Sequence, residues 1–434
     1  MKYEIGGLTA FLKRSVSTFH AVEAICEELR GAGYVQLRES QRWELAPGRG
    51  YFVTRNQSSV IAFRVPERGF APIQAVACHS DSPTFRVKEC AELEAQGSYV
   101  QLNTEGYGGM IMSTWMDRPL SVAGRVLART ERGIESKLVK VDRDMLVIPS
   151  LPIHMNRSVN DGVKFNPQVD TLPLLGDIGA KGSFMRIIAD AAGVAQEQIA
   201  GSDLFLYNRM DASVWGEDGC YISAPRLDDL ECAYTGLCAL LGAKGGDHIN
   251  MLCVFDNEEV GSLTRQGGDS TFFEDMVQRL ALALGADGEA LRGALASSFL
   301  ISADNAHALH PSHPEKYDPT NRVYMNGGVV VKFSANQRYT TDGLSKAIFS
   351  QICGRAGVPV QFFANRSDMA GGSTLGNISS AHVSIPAVDV GLAQLAMHSC
   401  FETAGTKDAE YMAKALQAYY ETEIRAEGDG IYEL

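Results

Sequence analysis

The sequence is poor in the features that mark several protein classes. None of its nine cysteines falls in a Cys-x-x-Cys pair. The odd, scattered set (Cys26, Cys78, Cys90, Cys220, Cys232, Cys238, Cys253, Cys353 and Cys400) reads as reduced thiols, not as a disulfide framework. No apolar run approaches the roughly 18 residues of a membrane span. Lys2, Glu4, Lys13 and Arg14 stand where a signal peptide carries its apolar run. A soluble, cytoplasmic protein without a membrane partner is expected. Basic clusters beyond short Lys/Arg pairs are missing as well, and a formal net charge of -13 opposes a phosphate backbone. Nucleic acid is therefore excluded as an expected partner. Internal repeats and low-complexity tracts are absent.

What remains is a chain of 434 residues, 45% hydrophobic, which is long enough for more than one core. Two domains are expected. Leu8, Phe11, Leu12, Val16 and Phe19, then Val22, Ile25, Cys26 and Leu29, recur at helical spacing until Gly31 and Gly33. Short apolar runs follow, each ending in polar or acidic residues: Ile73 to Cys78 before His79, Met251 to Phe255 before Asp256, and Phe299 to Ile301 before Asp304. Helical patterns between Gly268 and Ser298 and from Thr406 to Ala426 alternate with such strands. That alternation predicts an α/β sheet covered on both faces. From about Ala91 to Asp218 the pattern changes to short strand-like pieces, such as Gly124 to Arg129 and Lys137 to Val141, with many turns. This stretch reads as an inserted, mainly β domain.

The chemistry concentrates at the strand ends. In Asp256-Asn257-Glu258-Glu259-Val260-Gly261-Ser262, neighbouring carboxylates repel unless a cation supplies the missing charge. Side chains of adjacent residues diverge, so one glutamate can hold an ion while the other handles a water. Read alone, the pair is equally an acidic surface loop. His79-Ser80-Asp81-Ser82-Pro83 puts a carboxylate close enough to orient a ligand histidine. Taken singly, His79 is more often structural. Pro225-Arg226-Leu227-Asp228-Asp229 precedes a helical run, where Asp228 or Asp229 serves equally as an N-cap. Asp304 with His307 and His310, and His398 after the strand Ala387 to Leu392, complete the set. Two histidines and several carboxylates at strand ends, with no cysteine motif, point to a Zn or Mn pair bridged by a carboxylate.

These segments, with Ile153-His154-Met155-Asn156-Arg157, Gln337-Arg338-Tyr339 and Met397-His398-Ser399, resemble the aspartyl aminopeptidases over nearly the whole chain. The resemblance implies a three-layer α/β/α mixed-sheet catalytic domain of zinc exopeptidase type, formed by residues 1–90 and 219–434. It implies an inserted mainly-β dimerisation domain at 91–218, and homododecamers built from dimers. It places Asp228 between two divalent ions, most simply Zn, with Co or Mn as substitutes. His79 and Asp304 would hold one ion, Glu259 and His398 the other. A cis peptide after Asp228 belongs to the same pattern. Glu258 becomes the general base, with Asp81 beside it in the catalytic set. His154 would come from a neighbouring subunit to support the oxyanion.

The expected reaction is hydrolysis of the N-terminal residue of peptides. A preference for Asp or Glu would be read by His307, Lys332 and Tyr339. Without the resemblance, Lys332 in Val329-Val330-Val331-Lys332-Phe333 is an edge-strand charge. The segment Asn365 to Ser373 departs from the animal members, which bears on the pocket's fine specificity. Three alternatives use the same residues: a metallo-aminopeptidase of neutral-residue preference, a two-metal deacylase or carboxypeptidase, and a non-catalytic self-assembling scaffold.

Overall fold

The computed structural model describes residues 1–369, 371, 372, 374, 376 and 382–434. Ala370 and Ser373, from the segment that departs from the animal members, lie outside the described residues.

A nine-stranded mixed sheet forms the centre. In spatial order it runs Val35–Leu37, Gly50–Arg55, Ser59–Arg64, Ile249–Phe255, Ile73–His79, Phe299–Ala303, Ala387–Gly391, Val329–Phe333 and Val360–Ala364. Four neighbours, Ile249–Phe255, Ile73–His79, Phe299–Ala303 and Ala387–Gly391, are parallel. Their carboxyl ends therefore open on one edge, the usual place for a ligand site in such sheets. Every residue of Ile249–Phe255 and Ile73–His79 is buried. Strands covered on both faces favour near-continuous apolar runs, which is why these segments stand out in the sequence.

The two faces carry separate cores. Val76, Cys78, Leu252 and Val254 pack with residues of the helices Ile5–Arg14, Thr18–Gly31, Leu227–Gly242, Gly343–Ala356 and Thr406–Glu421. Ala75, Ala77, Met251, Cys253 and Phe255 pack on Phe272, Phe273, Met276, Val277 and Leu280 of the helix Phe272–Ala283. The alternation along each strand matches the strand period of two. The expected α/β/α layering is thus present. The long N-terminal helical pattern is broken at Ser15 to Ser17. There the Arg226 guanidinium donates to the carbonyls of Ser15 (2.9 Å) and Leu12 (3.2 Å), satisfying the end of the first helix.

A second, six-stranded sheet runs Gly133–Lys140, Leu120–Thr130, Ile199–Asn208, Thr84–Ala95, Tyr99–Tyr107 and Leu174–Asp177 in space. Phe85, Trp115, Leu120, Val122, Val126, Phe184, Ile188, Leu204 and Leu206 give it a core of its own. The strand Thr84–Ala95 straddles residues 90 and 91, because Phe85 and Val87 already turn inward at period two. A third sheet of five strands contains Tyr221–Ala224, Glu402–Gly405 and Ala306–His307 beside the open edge of the first. All nine cysteines are free. Among the described residues no helix is long and apolar enough to cross a membrane.

Candidate metal centre

The open edge collects the predicted residues. His79 and Phe255 are paired at the ends of adjacent parallel strands, and Ser80 N donates to Phe255 O at 2.8 Å, so the two following loops run side by side. Asn257, with φ of 61°, turns the chain into a single tight turn over Glu258–Val260. Asp81 joins the loops. Its Oδ1 accepts from the Glu258 amide at 3.1 Å and its Oδ2 from the Glu259 amide at 3.2 Å. The Asp81 carbonyl lies 3.1 Å from His79 Nδ1. A proton on Nδ1 donated to that carbonyl leaves Nε2 as the free ligand atom.

Asp228 enters from the first turn of the helix Leu227–Gly242, where it and Asp229 depart from helical geometry and the bond between them is cis. Its two oxygens face different histidines: Oδ1 is 3.5 Å from His79 Nε2, and Oδ2 is 3.5 Å from His398 Nε2. Asp304 Oδ1 lies 3.9 Å from His79 Nε2, and Glu259 Oε2 lies 3.3 Å from His398 Nε2. Two donor clusters thus share one carboxylate. His398 donates from Nδ1 to Gly109 O at 2.6 Å, which again frees Nε2.

The spacing fits a cation better than hydrogen bonding. Tetrahedral zinc with bonds of about 2.0–2.1 Å puts its N and O ligands roughly 3.3 Å apart. Asp228 Oδ1 and Glu259 Oε1 are buried with no hydrogen-bond partner. Burial pushes the Glu259 and Asp304 carboxyls up, and pushes Glu258 up to about 8. Burial acts to lower His398, but contact with Asp228 and the charge of Glu259 outweigh it and raise it to about 10. His79 is raised in the same way, with Asp228 and Asp81 overcoming burial. The raised carboxyls and histidines mean that the cluster favours added positive charge. A divalent cation would meet that demand and give the orphaned oxygens a partner.

Several braces carry no sequence signal of their own. Glu402 is buried, and accepts the His398 amide at Oε1 (2.7 Å) and the Asp228 amide at Oε2 (3.1 Å). Only its place four residues after His398 hinted at it. Asp229 Oδ2 accepts the His79 amide at 3.1 Å, so this acid fixes the backbone of His79. Tyr107, from the second sheet, donates to Asp81 Oδ2 at 2.7 Å.

The predicted substrate residues divide. Lys332 is 2% exposed, and its ammonium meets Asp304 O at 2.8 Å, Asn305 O at 3.3 Å and Asp304 Oδ2 at 3.5 Å. It lies 5.2 Å from the centroid of the buried Tyr339 ring. The donors expected to meet a substrate are thus engaged with Asp304 and Asn305. His307, edge-on to Phe363 at 5.9 Å, joins His310, Tyr317, Gln394 and His398 around a cleft of about 230 Å³. His154 stands on an exposed turn, and none of the contacts above involves it. A further cavity of about 360 Å³ lies behind Asp81, lined by Tyr107, Asp256 and Arg226. None of His79, Asp228, Glu259, Asp304 or His398 lines it.

The model of the aminopeptidase I zinc metalloprotease family, M18, matches residues 11–420. A probable M18 family aminopeptidase 2 from Clostridium acetobutylicum is 46% identical over 424 residues, covering 95% of this chain and 97% of that protein. A cryo-EM structure of the Ape4 and Nbr1 complex superposes with a TM-score of 0.92 at 32% identity, over 95% of this chain and 84% of the other. The S. cerevesiae mApe1 dodecamer gives a TM-score of 0.83 at 25% identity, over 96% and 95%.

Proposed function

The chain belongs to the M18 family of zinc metalloproteases and is a metallo-aminopeptidase, and from that premise we propose that it uses two divalent ions and prefers peptides with N-terminal Asp or Glu. The observation that carries the two-ion reading is the division of Asp228, one oxygen toward each histidine at 3.5 Å. In this reading His79 and Asp304 hold one ion, His398 and Glu259 the other, and Asp228 both. Zinc is the expected metal, with Co or Mn as substitutes. When bound, the ions supply Lewis acidity to the scissile carbonyl and to water. Glu258 takes a proton from the attacking water and returns it to the leaving amine. Asp81 aims His79 and, through two amide contacts, the acid pair.

Specificity rests on the cleft beside His398. His307 flanks the substrate's side chain, and Lys332, with the Tyr339 ring beside it, supplies positive charge from beneath the cleft. The engagement of Lys332 with Asp304 favours a second reading, in which the lysine braces that ligand and the enzyme prefers neutral residues. A panel of aminoacyl chromogenic substrates with Zn present separates the two. Asp and Glu substrates are expected to turn over fastest, and Lys332→Met to lower all rates but those for Asp and Glu most. A panel led by Leu or Ala, or equal losses in the variant, would discard the carboxylate contact.

Assembly is proposed as a dodecamer built from dimers, with residues 91–218 as the dimerising insert, residues 1–90 and 219–434 as the catalytic part, and His154 supplied across the interface. The yeast dodecamer supports this, and so does an apolar loop beside His154, where Leu151 is 64%, Ile153 47% and Met155 78% exposed. Native mass measurement is expected to give twelve chains. A monomer at working concentration would reject the shared site. The free thiols suit a cytoplasmic setting.

A further inference from the structure

The proposed ligands end or follow strands of the first and third sheets, yet one segment that buttresses them comes from the second. Its strand Tyr99–Tyr107 ends at the centre. The Tyr107 hydroxyl donates to Asp81 Oδ2 at 2.7 Å and accepts from Asn257 Nδ2 at 2.8 Å. Asp81 holds the amides of Glu258 and Glu259, and Asn257 immediately precedes them. Asn257 is fixed from its other side, where Oδ1 accepts from Thr264 at 2.7 Å and Gln266 at 2.9 Å. One phenol therefore ties Asp81 and Asn257 together at the start of the tight turn that carries the acid pair. The residues that follow continue the contact. A Cβ on Gly108 would lie 3.1 Å from Glu259 Cβ, and the Ile111 amide donates to His398 O at 3.0 Å.

We infer that Tyr107 is a positioning residue: its hydroxyl, acting through Asp81 and Asn257, sets the direction of Glu258 and Glu259 and so makes the second sheet part of the catalytic apparatus. This rests on the proposed roles of the acid pair. The physical ground is the sharing of Asp81. Without the phenol, Oδ2 keeps only an amide at 3.2 Å, and Asn257 Nδ2 loses the acceptor that holds it. A general base tolerates little misplacement, since a shift of about 1 Å can cost 10²-fold in rate. A hydroxyl that is merely satisfied would affect stability and leave turnover alone.

Tyr107→Phe tests this with little disturbance of packing, because the ring sits edge-on to Phe205 at 5.6 Å and its volume is kept. Expected are an unchanged zinc content, a KM within about twofold and a kcat lower by about tenfold or more. Phe205→Leu, which alters the packing but keeps the hydroxyl, should leave kcat within about twofold. A Tyr107→Phe variant with wild-type kcat overturns the inference. So does a loss that tracks missing zinc, which would place the effect on the ligands, or an equal loss in Phe205→Leu, which would make packing the cause. If the wild-type chain hydrolyses no aminoacyl substrate at all, the proposed function fails instead.

Discussion

Glu258→Gln is expected to bind the same amount of zinc as the wild type and to lose about 10²- to 10⁴-fold in kcat, the range for removal of a general acid-base group. The substitution keeps the length and shape of the side chain and removes its ability to carry the proton. Its backbone amide remains on Asp81 Oδ1 at 3.1 Å, so the tight turn is held as before. The assignment competes with another. Donor atoms of His79, Glu258 and Glu259 can approach within 4.8 Å of one another, a grouping in which Glu258 itself ligates. Zinc content and kcat measured together decide between them. Full zinc with little turnover identifies the base, whereas loss of an ion makes Glu258 a ligand. Turnover at the native rate would remove Glu258 from the chemistry altogether.

The same division between charge and geometry explains what could be read in the sequence. The parallel strands at the centre were legible because burial on both faces favours apolar residues, so Met251 to Phe255 appears as an unbroken apolar run and Ile73 to Cys78 is interrupted only by the buried Gln74. Their ends were legible because His79 and the Asp256 to Glu259 acids follow at once. Glu402, Asp229 and Tyr107 were not, since each acts through backbone amides or one hydroxyl on residues distant in the chain. Tyr107 reaches Asp81 only because two sheets meet there. Lys332 shows a subtler limit. The resemblance brought it to the pocket, but the direction of its ammonium follows from the Asp304 and Asn305 carbonyls on a neighbouring loop, which no local pattern encodes. The break at Ser15 to Ser17 likewise depends on Arg226, more than two hundred residues away in the chain.

Asp228→Asn is expected to have the largest effect of a single isosteric change. The wild-type carboxylate has one oxygen for each histidine, each at 3.5 Å. An amide presents one good ligand oxygen and one NH2 group, so at most one of the two clusters keeps its third donor. The fold should survive, because the braces act on backbone: Glu402 accepts the amide of residue 228 and Asp229 accepts that of His79. Bound zinc is expected to fall to one ion or fewer per chain after gel filtration. Loss of several kcal/mol of Lewis-acid stabilisation corresponds to a kcat lower by about 10³-fold or more. An unchanged thermal transition of the metal-free protein would show that the loss lies in ion holding and not in folding. Retention of two tightly bound ions would mean that Asp228 is not the shared ligand, and the pairing of His79 with Asp304 and of His398 with Glu259 would have to stand as two separate sites.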